Sequence, residues 1–337
     1  MRDVYKERMN KGGSVLVLTL WALFFLAALA VAVGGHVAAN VRVASKLKGR
    51  MGAFYLARAG VEKAVFDAKG DSNAWDSLVE PWSNGEELYK DVDLGGGNYS
   101  VYHTSVSPFG GVVTNYGMVD EESKININKA TEKILKAMLE VIGELGSMSA
   151  ADTAAAIVDW RDSNDVVLTG GAENSYYAAL SQPYPCHNAD FQSVHELLLV
   201  KGMSESLFAK IRPYLTIYGT GKVNINTADP VVLMCVGEGS GGGDRSVCRL
   251  LADKIGRFRA AGNSFTDASI IGQLNAFAQV TPEEKTVVSR MMGGLAIRSS
   301  CFGGIAGGKV SGSSTEDRQI EFVFDRQRGV KLYWHEF

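Results

Sequence analysis

The chain has 337 residues, a length that suffices for two or three domains with separate hydrophobic cores. Hydrophobic residues make up 46% of it and charged residues 21%, which is ordinary for a globular protein. The formal net charge of −3 excludes the basic footprint of nucleic-acid-binding proteins, so no nucleic acid is expected among the partners.

An apolar segment near the N-terminus is long enough to cross a membrane. No Asp, Glu, Lys, Arg or His interrupts the 22 residues from Ser14 to Gly35. About 20 apolar residues in a helix cross a bilayer core roughly 30 Å thick, whereas the apolar region of a secretory signal has only about 7–15 residues. Four cations precede the segment, namely Arg2, Lys6, Arg8 and Lys11. We therefore predict a transmembrane helix at 14–36, with its N-terminus in the cytoplasm and the rest of the chain exported.

The helical pattern continues beyond the apolar segment. Apolar residues recur every three or four positions, and no proline occurs before Pro81. The recurring residues are Val37, Val41, Ala44, Leu47, Met51 and Phe54, and the pattern predicts one long helix whose outer half packs on a domain.

Strand-like segments lie on both sides of a long, mostly helical stretch. Asn98–Val106 and Gly111–Val119 are separated by a Pro-Phe-Gly-Gly turn. Three more runs, LAIRSSCF, RQIEFVFD and GVKLYWHE, occur near the C-terminus, and RQRG joins the last two as a hairpin. The pattern predicts an α+β protein in which a sheet domain is interrupted by a large helical insertion.

A glycine-rich run, Gly303–Ser311, nearly matches the phosphate-binding loop G-x4-G-K-[ST]. Val310 stands where that motif needs a hydroxyl for magnesium, and no helix follows. We predict a flexible loop between strands here. The histidines have no metal-ligand spacing and no G-x-S-x-G elbow occurs, so no enzyme activity is expected.

The helical stretch contains an internal echo. KININKATEKIL begins at Lys124 and KVNINTADPVVL at Lys222, and we predict that Asn128 and Asn226 cap the helices that follow. Two later segments, FQSVHELLLVKGM and FTDASIIGQL, also correspond in kind. The pattern resembles SAM-like or helix-hairpin-helix modules. Because the turns are not basic, packing units are favoured over DNA-binding modules.

An acidic loop, Asp159–Tyr177, concentrates oxygen-bearing side chains. Asp162, Asn164 and Asp165 are closely spaced, and Glu173 follows a Gly-Gly turn. Calcium takes six to eight oxygen ligands and tolerates irregular loops, although the spacing is not that of an EF-hand. A calcium site and a solvated turn with helix-capping carboxylates both remain open at this point.

Four cysteines in a segment predicted to be exported permit disulfides. Cys235 and Cys248 flank a glycine-rich loop and form the candidate pair. The alternative is four buried free thiols, with Cys186 and Cys301 as the other two.

The leader carries a further pattern. The residues KGG directly precede the apolar segment, which resembles the class III signal of prepilins, cut by a membrane peptidase after a glycine. Cleavage after Gly13 would make Ser14 the first residue, and cleavage after Gly12 would leave Gly13 first. Most prepilins carry Glu at the fifth mature position, where this chain has Leu18 or Val17.

Taken in order, these segments resemble the K-type minor pseudopilins of the bacterial type II secretion system. The resemblance rests on the KGG leader, DEESKININKA, DWRDSND with GGAENSYY, FQSVHELLLVKGM, VNINTA and the terminal EFVFDRQRGVKLYWHEF. It implies a pilin-like sheet interrupted by a large α-domain, a structural role, and calcium held by Asp162, Asn164, Asp165 and Glu173. Asn164 stands where the family more often has Asp.

The resemblance also implies location and partners. The chain would be a single-pass inner-membrane protein with a periplasmic C-terminal domain, processed by prepilin peptidase. Its partners would be the other minor pseudopilins, the major pseudopilin and secreted cargo. A carboxylate at position five is stable in hydrocarbon only when a subunit above supplies an ammonium group, so its absence favours the filament tip.

The predicted division is a leader at 1–13, a transmembrane helix at 14–36, a sheet domain at 37–120 with 295–337, and two helical modules at 121–220 and 221–294. Two alternatives remain open: an exported helix-hairpin-helix DNA-binding protein, and a plain single-pass anchored periplasmic protein.

Overall fold

The computed structural model describes residues 12–106, 111–241, 243–312 and 317–337, so most of the predicted leader lies outside the described residues. The helices are α1 (Gly12–Gly70), α2 (Glu86–Tyr89), α3 (Glu132–Val141), α4 (Ser147–Arg161), α5 (Asn174–Ala178), α6 (Glu205–Ile211), α7 (Pro230–Gly239), α8 (Arg245–Ala260), α9 (Ile270–Phe277) and α10 (Pro282–Met291). The strands are β1 (Val92–Asp93), β2 (Gly97–Val106), β3 (Val112–Tyr116), β4 (Val119–Asp120), β5 (Ile125–Asn126), β6 (Leu215–Thr216), β7 (Val223–Asn224), β8 (Leu295–Ala296), β9 (Cys301–Val310), β10 (Arg318–Asp325) and β11 (Val330–Glu336). Short 3₁₀ turns lie at Glu121–Ser123, Val194–Leu199, Arg212–Tyr214 and Met292–Gly294.

The long N-terminal helix is present as α1. Its 59 residues span roughly 90 Å at about 1.5 Å per residue. The window of highest hydropathy has a mean of 2.7 and is not buried by any other part of the described chain. An α+β fold with one long apolar N-terminal helix is therefore confirmed.

The outer half of α1 packs on the sheet, as predicted. Contact is made by Ala53, Leu56, Ala57, Val61, Ala64 and Ala68, which are buried, and Phe54 packs partly against the same core. The side chains of Val37, Val41, Leu47 and Met51 are instead 54%, 62%, 55% and 58% exposed. At about 100° per residue, the buried set and this exposed set centre on opposite faces of the helix. Four of the six buried residues are alanines, which let the helix backbone come close to the sheet.

The main sheet has the order β1-β2-β9-β10-β11, with β3 on β2 and β4 on β9, and all of these pairings are antiparallel. The predicted hairpin at 326–329 is confirmed, since Asp325 pairs with Val330 across it. The helical insertion leaves after Asp120 and returns just before Cys301. Its two ends are neighbours because Asp120 pairs with Phe302.

The prediction of a flexible loop at Gly303–Ser311 is wrong. Residues 301–310 form β9, the strand at the middle of the sheet, which pairs with β2 on one side and β10 on the other. Its glycines provide space for α1. A Cβ atom at Gly308 would overlap the carbonyl oxygen of Ala53 and the nitrogen of Ala57. Glycine density here reflects the close approach of helix and strand.

The insertion contains two copies of one structural unit, offset by 98 positions. In each copy two short strands pair in parallel, β5 with β6 and β7 with β8. Arg161 donates to the carbonyls of Ile127 and Ala130 in the first copy. In the second, Arg259 donates to the corresponding carbonyls of Ile225 and Ala228. The copies contact each other through α3 and α7.

The predicted asparagine caps are replaced by a different arrangement. Thr131 caps α3 by accepting from the Ile134 amide, and Asp229 caps α7 by accepting from the Val231 amide. Asn128 exchanges hydrogen bonds with the backbone of Phe191, and Asn226 does the same with Phe265. Each asparagine thus fastens the start of its copy to a later segment.

A buried polar junction joins the insertion to the sheet. Asp120, which ends β4, accepts from the hydroxyl groups of Thr227 at 2.6 Å and Ser299 at 2.7 Å and from the side-chain amide of Asn224 at 3.1 Å. Next to it, Arg326 forms an ion pair with the buried Asp76. Burial raises the pKa of Asp120 to about 7.

The candidate disulfide between Cys235 and Cys248 is not formed. Both residues, like Cys186 and Cys301, are buried free cysteines. Cys235 lies on α7 and Cys248 on α8, and these two helices pack against each other. This packing and the ion pair between Glu238 and Arg245 hold the two ends of the intervening loop in place. The second reading, buried thiols, describes this structure.

Candidate metal site

The site is built at the C-terminal end of α4, where Asp159 and Asp162 are three residues apart and therefore share one side of the helix. Trp160 anchors this end in the core and packs edge-on against Tyr177 of α5, with ring centroids 5.0 Å apart. Glu173 is the N-cap residue of α5. The aromatic contact therefore brings the start of α5 back to the end of α4.

Asp159 shapes the loop between the two helices. Its carboxylate accepts hydrogen bonds from the amides of Leu168, at 3.2 Å, and Ala172, at 2.8 Å. Gly171 lies against the same carboxylate, and a Cβ atom there would overlap its Oδ2. Glycine at 171 is thus required by the close approach of the loop backbone to a buried acid, and glycine at 170 is favoured by its left-handed φ of 82°.

Three carboxylates meet at one point. Ligand atoms of Asp159, Asp162 and Glu173 all lie within 4.8 Å of one another. Glu173 is only 2% exposed, and neither of its carboxylate oxygens has a hydrogen-bond partner. Burial, together with the charges of Asp159 and Asp162, raises the pKa of Glu173 to about 7. A buried carboxylate with both oxygens unsatisfied is costly, and a bound cation would satisfy it.

Asn164 and Asp165 lie beside this cluster. The amide group of Asn164 donates to Asp162, and its Oδ1 accepts from the Val166 amide at 2.7 Å. Asp165 accepts from the side-chain amides of Asn174, at 2.6 Å, and Asn188, at 3.1 Å. The structure therefore groups two of the four predicted ligands, Asp162 and Glu173, and places the other two next to them.

Asp159 is the residue that the sequence analysis missed. It lies three residues before Asp162 and opens the acidic loop, but it is not among the ligands predicted from the sequence. Asn188 is another neighbour, with a buried Oδ1 that has no partner and a left-handed φ of 48°.

Lys201, which contacts the same loop, forms no ion pair with the cluster. The Nζ atom of Lys201 donates to the carbonyls of Gly170 and Gly171, at 3.0 Å each. Within the described part of the chain, no ion pair is formed by Asp159, Asp162 or Glu173. The available donors are all oxygens, which suits a hard cation such as Ca²⁺. The nearby thiol of Cys186 is buried, and burial raises its pKa to about 11, so it is a poor ligand.

Among the described residues of the second copy, no such cluster is found. At the offset of 98, Arg257 corresponds to Asp159 and Ala260 to Asp162. The loop that follows α8 is also short, since α9 begins at Ile270. The carboxylate site is therefore an addition to one copy of a shared scaffold.

The segment that carries these carboxylates matches a known family. Residues 114–220 match the family described as "Type II secretion system (T2SS), protein K". The chain is related to the type II secretion system K proteins. The resemblance to this family that the sequence predicted is confirmed.

Individual relatives agree with the family match. The protein K of Aeromonas hydrophila is 36% identical over 101 residues, and that of Klebsiella pneumoniae is 35% identical over 100. Each alignment covers 29% of this chain and 30% of the relative, so it spans less than a third of either protein.

The fold match is wider. A chain in the crystal structure of the GspK-GspI-GspJ complex from the type 2 secretion system of enterotoxigenic Escherichia coli aligns with 90% of this chain and 99% of its own length. The TM-score is 0.60, and 16% of the aligned residues are identical. This likeness concerns the fold.

Proposed function

We propose that this chain is a minor pseudopilin of a type II secretion system, with a structural role and no catalytic one. The observation that carries the proposal is the combination of α1 packed on an antiparallel sheet with an inserted helical region related to protein K. An exposed apolar helix continuous with a folded domain suits a subunit that leaves the membrane by assembling into a filament.

The anchor is the first part of the proposal. The chain would cross the bacterial inner membrane once, through 14–36, with the N-terminus in the cytoplasm. Prepilin peptidase would cut after Gly13 and leave Ser14 as the first residue. These two residues lie at the start of α1, and their side chains are outside the described part. The mass of the N-terminal peptide from native membranes tests this: Gly13→Ala should retain the leader, and a wild-type protein with an intact leader would refute it.

The second part is a position at the tip, in contact with other minor pseudopilins. Leu18 stands where a shaft subunit would place Glu, and the insertion of 121–296 would collide with a subunit stacked above it. The exposed stripe of Val37, Val41, Ala44 and Leu47 on the outer face of α1 is available for other pseudopilin helices. The E. coli fold relative occurs in a complex with GspI and GspJ. From the tip, the chain could also contact secreted cargo.

Crosslinking along purified filaments tests the tip position. A photoreactive residue at Val41 should crosslink to minor pseudopilins at one filament end. The control is the same residue at Leu56, which is buried against the sheet and should give no intermolecular product. Crosslinks repeated along the shaft, at the frequency of the major subunit, would contradict the proposal.

The third part is a structural calcium ion. Asp159, Asp162 and Glu173 would be its charged ligands, with Asp165 and Asn164 at its edge. The observation in support is the buried Glu173 carboxylate without partners. The ion would neutralise the cluster and fix the loop between α4 and α5. Calorimetric titration should show binding that is lost in Asp162→Asn with Glu173→Gln and unchanged in Glu205→Gln, an exposed carboxylate of the same copy.

The two inserted copies are proposed to be SAM-like modules that serve as packing units. Their mutual contact through α3 and α7 supports this reading.

A further inference from the structure

A run of positive charge follows the apolar part of α1. Beyond Gly35 the helix carries Arg42, Lys46, Lys48, Arg50 and Arg58, all of them exposed, and no acidic residue occurs before Glu62. The whole chain has a net charge of −3, so this excess of cations is local.

Three of these cations share one face of the helix. At about 100° per residue, Arg42, Lys46 and Arg50 fall on the line that continues through Ala53 and Ala57. Those alanines are buried against the sheet. The three cations therefore lie on the sheet side of α1, between the apolar segment and Ala53, where burial against the sheet begins. The exposed apolar stripe occupies the opposite face.

These side chains can reach the surface of a membrane. Arg42 is seven residues beyond Gly35, which is roughly 10 Å along the helix axis. Helical side chains tilt toward the N-terminus, which here is the direction of the membrane, and long basic side chains extend toward the interface. The headgroup layer adds about 5–8 Å to each side of the hydrocarbon core. Lys46 and Arg50 lie about one and two helical turns further from the membrane than Arg42. When the helix tilts, their charges come within or near one Debye length, about 8 Å, of the headgroup layer.

We propose that Arg42, Lys46 and Arg50 form a binding surface for anionic phospholipid headgroups. The inference rests on the proposed membrane anchor. Two observations favour a lipid over an acidic protein: the three cations are continuous with the apolar segment, and they face away from the stripe available to partner helices. Bound headgroups would fix the height and tilt of α1 at the bilayer surface.

The test uses the full chain in nanodiscs that mix zwitterionic and anionic phospholipid. After mild extraction, native mass spectrometry measures the ratio of anionic to zwitterionic lipid retained on the protein. The wild type should be enriched in anionic lipid, and R42E/K46E/R50E should lower the enrichment by about fivefold or more, since even one cation near an anionic surface contributes about that factor. Salt at about 0.5 M should lower the wild-type enrichment through screening. The exchange R42K/K46R/R50K keeps the charges and should preserve it.

The matched control is K133E/R249E/K285E. It changes the net charge equally, at exposed positions on the helical insertion, and should retain the wild-type enrichment. Equal enrichment in the wild type and R42E/K46E/R50E, or an equal loss in the control, would overturn the proposal. So would a variant that keeps its lipid preference but loses crosslinks to another pseudopilin. A wild-type chain that does not remain in the discs at all would refute the anchor itself.

Discussion

Replacing Glu173 by glutamine should change the free energy of unfolding in opposite directions with and without calcium. Without a cation, the buried Glu173 carboxylate lies within 4.8 Å of ligand atoms of Asp159 and Asp162 and has no hydrogen-bond partner. Its ionisation in the folded state is therefore unfavourable. Glutamine has nearly the same shape and no charge, so it should stabilise the calcium-free protein and abolish the effect of calcium.

The pKa of Glu173 gives the size of the effect. A rise from 4.5 to about 7 corresponds to roughly 3 kcal/mol of destabilisation at pH 8. A buried amide that lacks partners costs about 1–3 kcal/mol of its own, so we expect a net gain of about 0.5–2 kcal/mol from Glu173→Gln without calcium. Because folding raises the pKa of Glu173, the free energy of unfolding of the wild type falls as the pH increases from about 4.5 to about 7. The difference between the two proteins should therefore be large at pH 8 and nearly absent at pH 4.

Calcium should reverse the order. At a free concentration of about one hundred times its Kd, an ion that binds only the folded state stabilises the wild type by about 2.7 kcal/mol, and it should not stabilise Glu173→Gln. Urea unfolding of the detergent-solubilised chain, in chelator and in calcium, measures both terms, with Glu205→Gln as the control. Equal destabilisation by Glu173→Gln in both conditions, or stabilisation of the variant by calcium as large as that of the wild type, would contradict this prediction.

Three further predictions concern the packing of α1, the junction and the anchor. Gly308→Ala should destabilise the fold by about 1–3 kcal/mol or more in urea unfolding, because the added Cβ atom meets the backbone of α1. In the control Gly307→Ala, the added Cβ atom would lie 3.7 Å from Tyr102, so the free energy of unfolding should change far less. Equal losses in the two variants would show that glycine flexibility matters and space does not. Since burial raises the pKa of Asp120 to about 7, the wild type should lose stability as the pH rises from about 4 to about 7. In a calcium-free Glu173→Gln background, Asp120→Asn should reduce that loss by about 1–3 kcal/mol. An unchanged dependence of the unfolding free energy on pH would assign the loss to other groups. Leu18→Glu should not improve secretion and should lower it if the carboxylate stays unpaired in hydrocarbon, whereas higher secretion would place the subunit below a neighbour that pairs with it.

The elements that the sequence predicted well are those whose pattern is local. The length of α1 follows from an uncharged apolar run and a helical pattern that continues beyond it without proline, and the hairpin at 326–329 follows from two alternating segments around a turn. The sequence did not indicate which face of α1 meets the sheet. Four of the six buried residues on that face are alanines, which carry a weak hydrophobic signal, and Ala53 and Ala57 come close to β9 because Gly308 stands opposite them.

The candidate site was predicted in part for a similar reason. Asp162 and Glu173 stand out in a polar loop, and the structure groups them. Asp159 lies inside α4, and its role depends on how the loop returns, which is set by the packing of Trp160 on Tyr177 and by hydrogen bonds to Leu168 and Ala172. Such tertiary contacts leave no spacing that can be recognised along the chain.

The two copies of the repeat give a physical reason for a cation in only one of them. Both copies fasten a helix end to their first strand with an arginine, and both fix a later phenylalanine to an asparagine. The connection from that arginine to that phenylalanine is about five times longer in the first copy, from Arg161 to Phe191, than in the second, from Arg259 to Phe265. A longer, less regular connection loses more conformational entropy when it is ordered. The second copy closes its short loop without such a cluster, whereas the first gathers three carboxylates that repel one another and that the proposed cation would bridge. In this scaffold, binding of the ion would offset the entropy of the longer loop.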